Sequence, residues 1–394
     1  MAVVVRSLES TTDRECFDAS AAVTLDGRTE RLTFRRYGDH PRLSDRTDTF
    51  DPFAVALLVP AMIRGQPLVI EGGLDEWLLL ALRGPVQALL QAIAPTWRKV
   101  AVEADSRPAT PTTDWSKGAA AAMSGGVDSL HLARHRLLDP ATPETLRIQL
   151  LVHHHVGAHG EDDTVFDEQY GHARRIADRL KLPLVGTRCA LHTAYRGMKF
   201  IHSVTLRNVA ASLALDHLFA VFHYASTETF ATRVVLDRSN GLSTIDPSLL
   251  PLFNTTRAMW LPFGGDVTRL RKSAEVIHDD RLCPHVLVCV RGFRRDRGNL
   301  NCGQCFKCAR FLLHAEADGR LDAVGGTFDL DAYRRGRSYA IMRSLRWALG
   351  PEKNENDVDL LQYLHARRFS FPTWARPAVA LVLTIHGRCH SLDA

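Results

Sequence analysis

Residues 119–138, AAAAMSGGVDSLHLARHRLL, decide how the rest of this chain is read. A short run of small apolar residues leads straight into Ser124-Gly125-Gly126-Val127-Asp128-Ser129, and that turn leads into a segment with helical periodicity. Two successive glycines open backbone conformations closed to other residues. Consecutive N–H groups can then converge on phosphate oxygens, while the following helix N-terminus adds its partial positive charge. The hydroxyls of Ser124 and Ser129 can donate to the same anion, and Asp128 is placed to cap the helix and, with ATP bound, to help hold Mg2+. The loop has neither the lysine and spacing of G-x-x-x-x-G-K-[ST] nor the G-x-G-x-x-G of a dinucleotide site, so it is a different kind of phosphate loop.

Outward from this stretch, strand, loop and helix alternate: 118–123 with a helix from about 128, 146–153 with a helix over 166–180, and 184–189 with a helix over 202–219. Such alternation predicts an α/β fold built on a doubly wound parallel sheet, with ligands at the carboxyl ends of its strands. Before it, residues 1–115 mix short β-rich runs (2–6, 31–37, 67–72, 99–103) with helical periodicity over 53–64 and 76–93, which predicts a separate N-terminal α/β domain. Residues 106–117, with Pro108 and Pro111 among Thr, Ser and Asp, read as a linker. The expected division is therefore 1–115, a nucleotide-binding domain over 116–280, a cysteine-rich segment over 281–325, and a helical tail over 326–394 with two or three helices between 329 and 368.

Composition sets broad limits. The chain has 394 residues, 45% of them hydrophobic and 24% charged, which is enough for a sizeable core and for more than one unit. No apolar run approaches the roughly eighteen residues of a membrane span. The first residues have no charged segment before an apolar stretch and no small-residue cleavage site, so a cytoplasmic location is expected. A net charge of +5 is mild for this length and does not by itself argue for nucleic acid. Arginines do cluster, at 291, 294, 295 and 297 and again at 334, 335, 337, 343 and 346, as solvated surface or as phosphate contacts.

Of eight cysteines, three stand in Cys302-Gly303-Gln304-Cys305-Phe306-Lys307-Cys308, with Cys289 and Cys283 upstream. Four thiolates can close a tetrahedral Zn2+ site with no open position, whose role would be structural. Lys307, Arg310, Arg294 and Arg295 would moderate its charge. An iron–sulfur cluster or redox thiols are the alternatives, and either Cys283 or Cys289 can supply the fourth ligand.

The phosphate loop resembles that of the PP-loop ATP pyrophosphatase family, whose members carry SGGxDS after their first strand. Ser124 to Ser129 match it at every defined position. Within that family the chain is most similar to the 7-cyano-7-deazaguanine synthase branch. That branch has one cysteine, a loop, then Cys-Gly-x-Cys-x-x-Cys and a basic residue, as Cys289, Cys302, Cys305, Cys308 and Arg310 stand here. RLRKSAE at 269–275 and Arg207-Asn208 at the head of a helix extend the likeness, which covers about 119–320. The resemblance implies an adenine nucleotide alpha hydrolase-like sheet and Cys289 as the fourth metal ligand. It also implies an ATP-dependent ligase that adenylates a carboxylate or amide, releases pyrophosphate, and lets ammonia or another amine displace AMP. The implied partners are a small-molecule substrate of that kind, extending to 7-deazaguanines, and an amine that a protein could carry; no membrane partner is expected and a homodimer is compatible.

Lys272 and Arg207 are the cations expected to neutralise charge on the α- and β-phosphates. His153, His154 and His155 follow a strand end, with His159, Glu161, Asp162 and Asp163 close behind, as a polar loop over the nucleotide or a second metal site. Cys189 ends a predicted strand, where packing is its expected role. Sulfur transfer through a free thiol and a non-catalytic nucleotide sensor are the competing readings.

Overall fold

The computed structural model describes residues 1–13, 16–45, 49–107, 113–157, 163–230, 242–289, 299–351 and 353–386. The chain forms two compact units, one of Met1–Met123 and His135–Asp266, the other of Ser124–Arg134 and Val267–Ala394.

The first unit holds one ten-stranded sheet: β1 (Val3–Asp13), β2 (Cys16–Leu25), β3 (Arg28–Gly38), β4 (Leu68–Asp75), β5 (Val102–Arg107), β6 (Ala119–Ala122), β7 (Ile148–His155), β8 (Leu184–Arg188), β9 (Val221–Ala225) and β10 (Met259–Phe263). Their spatial order is β10-β9-β6-β7-β8-β3-β2-β1-β4-β5. The five strands from β10 to β8 are mutually parallel. The hairpin β2–β3 joins them antiparallel through β8, and β1, β4 and β5 complete the other edge. The α/β class with a largely parallel, helix-flanked sheet is thus present. Pro262, which has no N–H to donate, sits in β10 at the sheet edge, where its missing donor breaks no ladder.

The expected boundary near residue 115 does not divide this sheet. Arg35 to Gly38 of β3 pair with Val185 to Arg188 of β8, so strands from both sides of residue 115 share one ladder. The helix Asp51–Arg64 is apolar all round and buries twelve of its fourteen residues, which requires cover on every side. Part of that cover comes from beyond 115: Tyr195 donates to the Ala56 carbonyl at 2.7 Å. Buried Asp51 receives Arg107 at 2.7 Å and Arg257 at 2.9 Å, and Arg257 also pairs with buried Asp216. An N-terminal piece cut at 115 would leave Asp51 without Arg257 and the helix face without Tyr195.

The second unit is helical. It comprises the helices Val127–Ala133, Arg269–Ile277, Phe306–Ala317, Leu330–Leu349, Glu355–Ala366 and Arg376–His386, with shorter turns between them. Three of these fall in the expected helical tail, two of them between 329 and 368. Asp279, buried, accepts from Arg134 at 2.9 Å and from Arg281 at 2.8 Å, tying the end of the first of these helices to the end of the second.

Candidate functional site

The loop after β6 is shaped by its glycines and serines. Gly125 takes φ +72°, a conformation that L side chains resist, and Gly126 caps the helix Val127–Ala133 in extended geometry without a side-chain cap. Ser124 Oγ accepts from the Gly126 N–H at 3.2 Å and lies 3.2 Å from Ser129 Oγ, which donates to the Gly126 carbonyl at 3.0 Å. The two hydroxyls named by the sequence are therefore neighbours. Ser124 is exposed while Gly125 and Ser129 are buried, so the turn presents one side to solvent.

Asp128 sits one residue into that helix. Arg269 pairs with its Oδ2, and Lys272 Nζ lies 3.4 Å from its Oδ1. Burial would raise this carboxyl, but the charges of Arg269 and Lys272, with their hydrogen bonds, outweigh it and hold the pKa below the ordinary carboxylate value. Lys272 is itself 1% exposed, so its charge is balanced inside the protein. Lys307, at the start of the helix Phe306–Ala317, adds a further cation to this neighbourhood: protein crowding and then Arg269 lower its pKa, and Asp128 partly offsets them. Asp128 and Lys272, singled out separately in the sequence, are thus brought together, and Arg269, which was not singled out, joins them. Arg269 and Lys272 are i and i+3 on one helix, so a lysine aimed at Asp128 carries its arginine neighbour to the same place.

The four thiols of Cys289, Cys302, Cys305 and Cys308 lie within 4.8 Å of one another and could hold a metal such as zinc. Tetrahedral Zn–S bonds of about 2.3 Å require sulfurs about 3.8 Å apart. The separations are 4.0 Å for Cys302–Cys308 and Cys289–Cys305, and 3.3 Å for Cys305–Cys308. The Cys305 N–H donates to Cys302 Sγ at 3.3 Å, and the contact with Cys308, together with backbone donors, lowers the Cys302 pKa to about 5. Gly303 takes φ +68° at the knuckle, and a Cβ there would lie 2.2 Å from the Asp329 carbonyl oxygen. Cys283, the competing ligand, is buried outside the cluster, and burial pushes its thiol up to about 11.

One residue that sequence did not single out holds Cys289 in place. Asn301 is fully buried; its Oδ1 accepts from the N–H groups of Val288 (2.8 Å) and Cys289 (3.1 Å), and its Nδ2 donates to the carbonyls of Val286 (2.7 Å) and Thr327 (3.2 Å). On the same short segment the Leu287 N–H donates to the Gly125 carbonyl at 2.8 Å. Residues 286–289 therefore connect the cysteine cluster to the backbone of the phosphate loop.

Arg207 belongs to the first unit and is buried; it donates to Ser203 Oγ at 2.8 Å and to the Val156 carbonyl at 3.1 Å, and stacks on Tyr195 at 4.2 Å. Those contacts hold the chain after β7. His153 Nδ1 meets the Met123 carbonyl at 2.8 Å, burial drives His154 down to about 3, and His155 stacks on Phe166 at 4.6 Å and faces Asp163. The histidine run thus packs the end of β7. Burial raises the Cys189 thiol well above its ordinary range. His159, Glu161, Asp162, Cys389 and the arginines 291, 294, 295 and 297 lie outside the described residues.

Set against protein-family models, curated proteins and solved structures, the chain matches none.

Proposed function

We propose that this chain is an ATP-dependent adenylating ligase of the PP-loop type, acting on a carboxylate or amide and transferring the activated group to ammonia or another amine. The observation that carries the reading is topological. Strands β6, β7 and β8 are laid down to one side, after which β9 returns to the other side of β6 and β10 adds beyond it. The order reverses at β6, and in doubly wound sheets the ligand lies where the order reverses, beyond the strand carboxyl ends. The loop that follows β6 is Ser124 to Ser129. An adenine nucleotide alpha hydrolase-like sheet is the finer form of this fold that the reading requires.

In this proposal the backbone N–H groups of the loop, the hydroxyls of Ser124 and Ser129 and the helix N-terminus bind the β- and γ-phosphates. The substrate oxygen attacks the α-phosphorus; the new O–P bond forms as the bond to the β-phosphate oxygen breaks, and pyrophosphate leaves. Arg269, Lys272 and Lys307 stabilise the charge gathering on that leaving group. Asp128 is the residue that would meet Mg2+ carried by the nucleotide, which supplies further neutralisation of the phosphates. An amine then attacks the adenylated carbon, AMP departs, and the amine proton is lost to solvent or buffer. Zn2+ in the four-cysteine cluster has a structural role, fixing the segment 286–289 that supports Gly125.

The reading is tested by release of pyrophosphate from ATP with candidate carboxylates and ammonia, followed by phosphorus NMR. AMP and pyrophosphate in equal amounts are expected. ADP and orthophosphate, or no ATP turnover with any carboxylate or amide, would overturn it.

A further inference from the structure

The helix Leu330–Leu349 buries one side, including Tyr333, Ala340, Ile341 and Leu345, and turns the other to solvent. On the open side, Arg335, Tyr339, Met342 and Arg346 follow i, i+4, i+7, i+11 spacing and so share one face, which Arg343 and Trp347 widen. Tyr339 is 59% exposed and Trp347 41%. Two other arginines of this helix are satisfied: Arg334 by Asp331 and Arg337 by Glu316. Arg335 and Arg346 form no ion pair among the described residues, while half-buried Arg343 donates to the Gln304 carbonyl at 3.4 Å, feels the charge of Asp357 and lies 5.8 Å from the Tyr339 ring centre. The basic cluster read in the sequence thus separates into two arginines in ion pairs, Arg343 held at the Gln304 carbonyl, and two exposed arginines without an ion pair, set among aromatic rings.

We infer that this face binds a single-stranded nucleic acid. Two exposed guanidiniums without an ion pair, with Arg343 beside them, call for a polyanion. The row Tyr339-Arg343-Trp347, one helical turn between neighbours, alternates a stacking surface with a cation, which suits bases and phosphates in turn. From Arg335 to Trp347 the face runs about 18 Å at 1.5 Å per residue, room for a few nucleotides. An acidic protein would meet the charges without using the rings as stacking platforms. A lipid surface would want a broader apolar stripe than Met342 and two aromatics supply.

The probe is a fluorescein-labelled oligouridylate, read by anisotropy with the full-length protein. Three phosphate contacts give a slope of log affinity against log salt of about −2, or roughly a twentyfold loss between about 50 mM and about 200 mM salt. Arg335→Gln and Arg346→Gln should each reduce that slope by about 0.7, while Arg334→Gln leaves it unchanged. Trp347→Ala should weaken binding on the order of tenfold with the slope kept. If that variant loses its cooperative thermal transition, Tyr339→Ala, at the more exposed ring, replaces it. No binding at low salt, equal competition by polyglutamate, insensitivity to the aromatic replacement, or retention on anionic vesicles through the same arginines would each overturn the inference.

Discussion

Asp128 has two functions that one substitution confounds and two can separate. Its carboxylate balances Lys272, which is 1% exposed, and it is also the residue proposed to act at the phosphates. Asp128→Asn keeps the shape but leaves Lys272 facing an amide inside the protein, and breaking such a buried pair costs about 3 kcal/mol. For a chain of this size that corresponds to a fall in Tm of roughly 3–4 °C. Lys272→Met removes the charge in turn, so the double variant Asp128→Asn/Lys272→Met should recover most of the lost stability. It should not recover pyrophosphate release, since both proposed catalytic groups are gone. The pH dependence follows from the lowered Asp128 pKa. The ion-pair contribution is complete above the unfolded carboxyl value of about 3.9 and is lost as pH falls through the lower folded value, so the Asp128→Asn penalty is full at neutral pH and fades only below about pH 4. Urea denaturation across pH and a pyrophosphate assay on the same four proteins give the answer. A double variant that regains turnover would reduce Asp128 to charge balance, and a single variant as stable as the parent would refute the buried-pair reasoning.

Four further outcomes are expected. Elemental analysis should find about one zinc per chain, lost in Cys305→Ser, whereas iron with a visible charge-transfer band would replace zinc by a cluster. Asn301→Ala should weaken metal retention against a chelator by about 10- to 100-fold, because Cys289 loses the group that orients its backbone, and an unchanged chelator titration would contradict that role. Gly303→Ala should deplete metal in the purified protein, since a Cβ would meet the Asp329 carbonyl at 2.2 Å; full zinc occupancy in this variant would count against the knuckle geometry. Replacing Cys16, Cys189, Cys283 and Cys389 singly by Ala should leave turnover in place, because an amine acceptor needs no protein sulfur; loss of turnover with nucleotide binding intact would move the proposal to sulfur transfer.

The parts of the fold that sequence announces are those whose signal is local. β6, the phosphate turn and the helix after it are legible because apolar run, glycines and helical period succeed one another within twenty residues. The helical run expected over 76–93 is two helices, Glu76–Arg83 and Pro85–Ile93, broken at Gly84-Pro85 where proline starts the second. β2 escaped notice because CFDASAAVTL is dominated by small and polar residues, and it becomes a strand through its ladders with β1 and β3. β9 and β10 are five residues each, short enough to be mistaken for loop. The false boundary at 115 has the same origin: nothing local in a proline-bearing segment reveals that β3 will pair with β8.

The candidate site divides along the same line. The residue types proposed to form the site, serines, glycines, an aspartate and cysteines at fixed spacing, advertise themselves. The residues that position them do not, since Asn301 reaches Val286, Cys289 and Thr327 only after the chain has folded, and an isolated asparagine in a sequence carries no mark of that. Arg269 lies between these cases: its i, i+3 relation to Lys272 was available, but only to a reading that had already placed Lys272 beside Asp128. The link with most consequence for function is the least visible, the backbone bond from Leu287 to Gly125. Through it, the order of the cysteine cluster supports the conformation of the phosphate loop. Stripping metal from the parent protein should then weaken nucleotide binding even though no thiol is assigned a contact with the nucleotide, and unchanged ATP affinity in a metal-free, folded protein would break that link.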